Sequence, residues 1–252
     1  MAEFDLETGR FLRDGRPFPV TDEIRAKVHA VRWHHELPLD PAVRLPGSIE
    51  FAGRTKKYLL DAVDWRGKSV LGIGTVEGMV LFAAEALGAS RIATISDDFG
   101  RLPSPAPARG VAAEILGSKL EVIDVAIDEV TVDRVGTFDY VILFEVLQHT
   151  RNPFALLEKA ASIAREGVLL MTHVMLAPEQ GACMAFAGTE MGPSRRDVSG
   201  INVLWLANAA EELNLVSRLT IPWDIDYYGM VLVRGRWERP PSYPRIADMP
   251  TD

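Results

Sequence analysis

The sequence predicts an α/β fold: a Rossmann-like sheet of about seven strands, mostly parallel, with helices on both faces and a C-terminal antiparallel hairpin. Three observations predict it. Short apolar runs alternate with helix-period segments from residue 69 onward. The first such run ends in a glycine turn that opens a helix. The last two runs are joined by too short a link for a parallel crossover, so they form a hairpin.

The elements follow in order. Residues 1–20 carry Gly, Pro and Arg and read as an irregular lead-in. In "TDEIRAKVHAVRWHHEL", Thr21 or Asp22 is a helix cap, and Ile24, Val28 and Val31 recur at helical spacing. "PLDPAVRLPGS" is a proline-rich connector, and "FAGRTKKYLLDAV" reads as a second helix. These two helices precede the first strand and are placed to lie over its carboxyl end as a lid. "SVLGIG" (69–74) is a buried strand, "GMVLFAAEAL" (78–87) a helix that Gly88 ends, and "RIATIS" (91–96) the second strand. "GVAAEILG" is a short helix and "KLEVIDVAI" contains the third strand. "FDYVILFEVL" (138–147) is the fourth strand. Asn152 and Pro153 start the helix "NPFALLEKAASIA". "GVLLMTHVML" is a fifth strand, "NVLWLANAAEELNL" a helix, and "LVSRLTIPW" and "YGMVLVRGR" the closing pair. The division expected is 1–64 as an N-terminal helical extension, 65–236 as the nucleotide-type domain, and 237–252 as a proline-rich tail.

Composition narrows the classes. Of 252 residues, 48% are apolar and 25% charged, as in a water-soluble globule with a full core. The net charge of -8 argues against a nucleic-acid partner, which needs a basic face. Cys183 stands alone, so neither an internal disulfide nor a cysteine-based zinc cluster forms. No apolar run reaches the roughly 20 residues of a membrane span. A cytoplasmic protein is expected, with a homodimer as its candidate assembly.

The glycine turn carries the first chemistry. Gly74 permits a close backbone approach, and Gly78 lets the helix begin beside a ligand. Asp97 or Asp98 follows the second strand, where a carboxylate accepts both ribose hydroxyls. That geometry suits an adenosine. A dinucleotide and S-adenosyl-L-methionine (SAM) both carry one. Glu77 beside the turn would repel a pyrophosphate but hold an ammonium, which favours SAM.

With its second half included, the chain resembles class I SAM-dependent methyltransferases. More narrowly, it is similar to the branch of the tRNA uridine-34 carboxymethyltransferase and related small-molecule methyltransferases. The resemblance rests on "LPGSIEFAGRTKKYLL", "WRGKSVLGIGTVEGMVLFAAEALGASRIATISDD", "FDYVILFEVLQHTRNPFALLEKAASIAREGVLLMTHV" and "NVLWLANAAEELNLV". It implies SAM as cofactor. Gly72, Gly74, Thr75, Glu77 and Gly78 would surround its methionine part, and Asp97 and Asp98 its ribose. Ala126 and Ile127 would flank adenine, and Phe144 would lie beneath the sulfonium. The family usually has an acid at Gly72, glycine or an aromatic at Val76, the ribose acid at Ser96, and an aromatic at Gln148.

Methyl transfer is an in-line displacement that depends mainly on holding the acceptor in line. His149, just past the fourth strand, is the candidate base. Glu145 would bind an acceptor hydroxyl or amine, or partner the ammonium that Gly72 cannot. His173 and the aromatics Trp205, Trp223, Tyr227 and Tyr228 are candidates for the acceptor wall. Lys56 and Lys57 read as a solvated face. His34 and His35, adjacent on a helix, point apart and do not share a metal. A small-molecule acceptor is expected rather than tRNA. The alternative is a methyltransferase-fold protein with a non-catalytic or repurposed role.

Overall fold

The structure is a computed structural model, and it describes residues 2–47, 59–96, 104–174, 181–186, 199–224 and 227–235. The chain opens with a small meander, β1 (Glu3–Asp5), β2 (Arg10–Arg13) and β3 (Arg16–Pro17), paired antiparallel in that order. Asp14 and Gly15 between β2 and β3 both hold positive φ, the requirement of a two-residue type I′ hairpin. Helix α1 (Asp22–His29) follows, capped by Thr21, whose hydroxyl accepts from the Ile24 N–H at 3.3 Å.

The main sheet contains seven strands. They are β4 (Ser69–Ile73), β5 (Arg91–Ile95), β6 (Glu121–Ile123), β7 (Phe138–Phe144), β8 (Ala164–His173), β11 (Leu215–Asp224) and β12 (Tyr227–Arg234). Their order is β11-β12-β8-β7-β4-β5-β6. The β6-β5-β4-β7-β8 stretch is parallel, and β12 and β11 close it antiparallel. Two short strands, β9 (Met184–Phe186) and β10 (Ser199–Ile201), pair between β8 and the last helix.

Helices α2 (Met79–Ala86), α3 (Ala106–Leu116), the single-turn α4 (Val132–Val135), α5 (Pro153–Ile163) and α6 (Val203–Glu212) complete the layers. Asn152 caps α5 by accepting from the Ala155 N–H at 3.1 Å, and Asn202 caps α6 through Trp205 N–H at 2.8 Å. No helix among the described residues is long and apolar enough to cross a membrane.

The core forms two clusters, one on each sheet face. One is built from α5 and α6 against β7 and β8. The other joins α2 and α3 to the N-terminal segment through Phe11, Phe18, Trp33, Leu37 and Leu39. Met79 to Ala84 are all buried, so α2 is apolar around its whole circumference. Such a helix needs cover on its outer side too, and residues 2–47 supply it.

Two expectations change here. The lead-in is a strand meander rather than irregular chain. The first helix stops at His29 instead of running through His34 and His35. Its end is fixed by Ala30 N–H bonding back to Ala26 O, and by the Trp33 indole donating to Val28 O at 2.8 Å.

The chain leaves β4, runs outward through β5 and β6, then returns to β7 on the other flank of β4. Strand order therefore reverses between β4 and β7. Open parallel sheets bind their ligands beyond the strand ends at such a point.

Candidate functional site

At this reversal lies a small, open hollow. Its wall comprises His35 from the N-terminal segment, Gly74, Thr75 and Val76 from the turn, Met79 and Val80 from α2, and Phe144 and Glu145 beyond β7. The wall is mostly apolar with few polar groups, as small-molecule sites are.

The turn is tight for definite reasons. Gly78 N–H donates to Thr75 O at 2.8 Å, closing it. Gly74 holds φ 75°, and a Cβ there would come within 2.7 Å of the Val146 Cβ. The turns after β4 and β7 thus touch, and only a glycine at 74 permits it. Gly72 is also required: a Cβ would meet Thr75 Cγ2 at 2.7 Å and Leu81 Cδ1 at 2.8 Å. Thr75 therefore occupies the space an acid at 72 would need.

Two residues at the hollow have unusual backbones. Val76 holds φ 54° and Glu145 φ 53°. Neither is a glycine, so both conformations are strained, and strain of this kind gathers at functional sites. Glu145 is anchored by its N–H donating to Met171 O at 2.7 Å.

Glu77 is fully buried. Its Oε1 accepts from the His34 N–H and from the His35 N–H at 3.3 Å, and its Oε2 lies 2.9 Å from His35 Nδ1. Burial pushes the carboxyl pKa up. The His35 ring and the His34 N–H more than offset this and hold it below its ordinary value. An ionised carboxylate only accepts, so the facing Nδ1 carries the hydrogen. The sequence reading offers Glu77 to a ligand's ammonium; in the structure its carboxylate ties the N-terminal segment to the turn.

The remaining candidates spread around the same rim. His149, half-buried, stands in the 3-10 turn Leu147–His149, its N–H donating to Val146 O at 3.0 Å. Gln148 is buried and accepts from the Thr172 hydroxyl at 3.0 Å, a fixed pair where an aromatic was usual. His173 ends β8 and is half-buried. Ala126 and Ile127 follow β6, and their segment is fastened to α5 by Lys159 Nζ, which donates to Ile127 O at 3.2 Å and Asp128 O at 2.6 Å. Trp205 stacks edge-to-face on Phe154 at 6.4 Å, beside the α5–α6 core rather than in the hollow. Asp97, Asp98, Lys56 and Lys57 lie outside the described residues, as do the side chains of Trp223, Tyr227 and Tyr228. Among the described residues no cluster of His, Cys, Asp and Glu is fit to hold a metal.

Three site features escaped the sequence reading. His35 was placed on a helix, and only a partner search for the buried Glu77 would have found it. Arg109 donates to Val76 O from 33 positions away. Asp124, just past β6, accepts from the Ser96 hydroxyl at 3.0 Å, bringing a carboxylate to the place where Ser96 supplies none.

Thr75 bears on the fit to an adenosyl cofactor. Its Oγ1 is buried and has no hydrogen-bond partner among the described residues. Such an atom carries a desolvation cost of about 1–3 kcal/mol until something polar meets it. It belongs to the turn that walls the hollow, and it lies on the side of that turn facing Gly72.

A seven-stranded sheet with its hollow at the first switch point defines a Rossmann-like α/β protein of the nucleotide-type class. The family described as "methyltransferase domain" matches residues 49–234, and the chain belongs to it. No curated protein sequence matches the chain.

Solved structures show the same fold at low identity. The SAH-bound N-terminal domain of EvdMO1 is 19% identical, with a TM-score of 0.61 over 89% of this chain and 100% of that one. SAH-bound magnesium protoporphyrin IX methyltransferase from Synechocystis PCC 6803 is 15% identical, at 0.54, over 75% and 90%. The Burkholderia thailandensis 1,6-didemethyltoxoflavin-N1-methyltransferase, with 1,6-didemethyltoxoflavin and S-adenosylhomocysteine (SAH) bound, is 16% identical, at 0.53, over 72% and 77%.

Proposed function

We propose that the chain is a SAM-dependent methyltransferase acting on an oxygen or nitrogen of a small molecule. The observation that carries this reading is the switch-point hollow, walled by the glycine turn and by Phe144 and Glu145 beyond β7. Membership of the methyltransferase-domain family supports it, as do SAH or SAM in similar structures, one of which also contains a small heterocycle.

When bound, SAM supplies a methyl group on a cationic sulfonium. The chain's own residues bind and orient. Gly74, Thr75 and Gly78 surround the methionine part. Glu145 takes the ammonium, the role its carboxylate can fill because Glu77 is committed to His35. Phe144 lies beneath the reacting centre and excludes water from it. Asp97 or Asp98 takes the ribose hydroxyls, with Ala126 and Ile127 against adenine. His149 accepts the acceptor's proton where the acceptor must lose one. The N-terminal residues up to 64 act as one wall and cover of the site, and residues 65–236 as its frame. A relation within the family to the tRNA-modifying branch does not bring tRNA as substrate, because the net charge of -8 offers no general attraction for phosphate.

Calorimetry with SAM and with SAH tests the reading. Saturable heat with both is expected, and absence of heat and of thermal shift with either would overturn it. His149→Ala should lower kcat about 100-fold while leaving SAH affinity within about twofold, if the acceptor needs a base.

A second reading has its own observation. Gly72 replaces an acid and Glu77 is sealed, so two carboxylates that would meet the methionine part do not. A repurposed member that binds an adenosyl ligand without transferring its methyl fits that loss. Labelled SAM incubated with a metabolite extract separates the two: a labelled product rules out the repurposed reading.

A further inference from the structure

The turn between β4 and α2 has a backbone problem that its own residues do not solve. It is closed by the Gly78 N–H on Thr75 O, so Val76 and Glu77 are its two central residues. Val76 holds positive φ and Glu77 does not. That is the φ pattern of a type II′ turn, in which the first central residue is normally glycine. A β-branched side chain there crowds its own backbone and persists only when the surroundings impose it.

The imposing group comes from α3. Arg109 is 5% exposed, and its Nε and Nη2 donate to Val76 O at 3.1 and 2.8 Å. Its position is unfavourable on two counts. A guanidinium is costly to bury. It also sits in the first turn of a helix, where the backbone dipole is already positive and the turn itself carries no acidic residue. The charge-assisted, two-pronged bond to one carbonyl helps to offset that placement. Rotation of residue 76 to negative φ would swing this carbonyl off the guanidinium. Arg109 therefore disfavours the relaxed turn as well as supporting the strained one. On the far side of the same residue pair, Glu77 is held by His34 and His35.

We propose that Arg109 is a positioning residue for the cofactor turn. Its bond to the Val76 carbonyl holds residue 76 in the conformation glycine would adopt unaided, and so fixes Thr75 and Val76 as a wall of the hollow. This rests on the reading of the hollow as the SAM site. The property that one glycine would supply is here divided between a valine and an arginine 33 positions away.

The test compares Arg109→Met in two backgrounds, wild type and Val76→Gly, using the full chain. One readout needs no ligand: hydrogen exchange of the Gly78 amide, which closes the turn. The other is SAH affinity by calorimetry. In the wild-type background, Arg109→Met should speed exchange at Gly78 about tenfold and weaken SAH binding about tenfold or more. In the Val76→Gly background the same substitution should change each by about twofold at most.

Equal losses in both backgrounds would overturn the proposal, since Arg109 would then act by packing alone. No change in either would overturn it too. If the wild type gives no heat with SAH, the cofactor reading fails, and the exchange arm still decides the clamp by the same criterion. If Arg109→Met does not fold by circular dichroism, Arg109→Lys takes its place. A loss that Val76→Gly rescues supports the clamp, and an unrescued loss or none overturns it.

Discussion

Ser69, Asp139 and Arg165 at the amino-terminal rim of the sheet form a polar cluster, as do Thr75, Glu77 and Glu145 at the carboxyl-terminal rim. The first cluster is open and satisfied. Arg165 donates to Asp139 Oδ1 at 2.8 and 3.0 Å, to Thr137 Oγ1 at 2.9 Å and to Ser69 Oγ at 3.1 Å. Asp139 in turn accepts from the Ser69 N–H at 2.8 Å. Nearby, Lys68 pairs with Glu166 at 2.5 Å, and the Tyr140 hydroxyl pKa is pushed up to about 12 by burial and by Glu166.

The second cluster is sunk and strained. Glu77 is sealed, Thr75 keeps a hydroxyl without a partner among the described residues, and Val76 and Glu145 hold positive φ. The unpartnered hydroxyl and the two positive-φ residues cost stability, and only Glu77, tied to His34 and His35, returns some. The difference teaches that the amino rim is arranged for stability, whereas the carboxyl rim sacrifices stability to hold a shape.

Substitutions should expose that contrast. The largest effect is expected at Gly74. Gly74→Ala adds a Cβ at positive φ and against Val146, so SAH affinity should fall about 100-fold or more in calorimetry. Retention of binding within a few-fold would show that the hollow is not the cofactor's place.

Next comes Glu77→Gln, which sets an amide NH2 against either the His34 and His35 N–H groups or the His35 ring, and should cost about 2–3 kcal/mol in urea unfolding. Its pH dependence has a fixed sign. Glu77 titrates below its ordinary 4.5 in the folded chain. Its contribution is therefore complete above about pH 4.5 and is lost as pH falls through the folded value. The stability gap between wild type and Glu77→Gln should be full at pH 7 and narrow as the solution is acidified; a gap independent of pH contradicts the pairing.

At the amino rim the effects shrink. Arg165→Ala should cost about 1 kcal/mol, with SAH affinity unchanged. Lys68→Ala should change the melting temperature little and leave binding unaltered, because its pair is partly exposed and remote from the hollow. Loss of binding in either variant would break the division between the rims.

What the sequence reveals follows the range of the interactions. The parallel strands and their helices are legible because burial on both faces writes long apolar runs such as "YVILF" and "VLLM". Helix starts at Asn152 and Thr21 are legible because a cap is a local bond. The opening meander is not: its strands are two to four residues long, too short for a period of two to register. Its one usable sign was Asp14-Gly15, a hairpin dipeptide.

The site divides in the same way. Gly74 and Gly78 announce a turn, and the rim positions of Glu145 and His149 follow from strand ends. The partners of Glu77 and Val76 stand 42 and 33 positions off in chain order. No spacing rule connects residues that meet only after the core has closed. His35 looked like helix surface because helical periodicity near Val28 and Val31 ran up to it.

The family match begins at residue 49, yet His35 stands before that point and walls the hollow. A fragment trimmed to the matched span would expose the outer side of α2 and leave Glu77 as an uncompensated charge. A cut made at the family boundary would thus remove part of the hollow's wall.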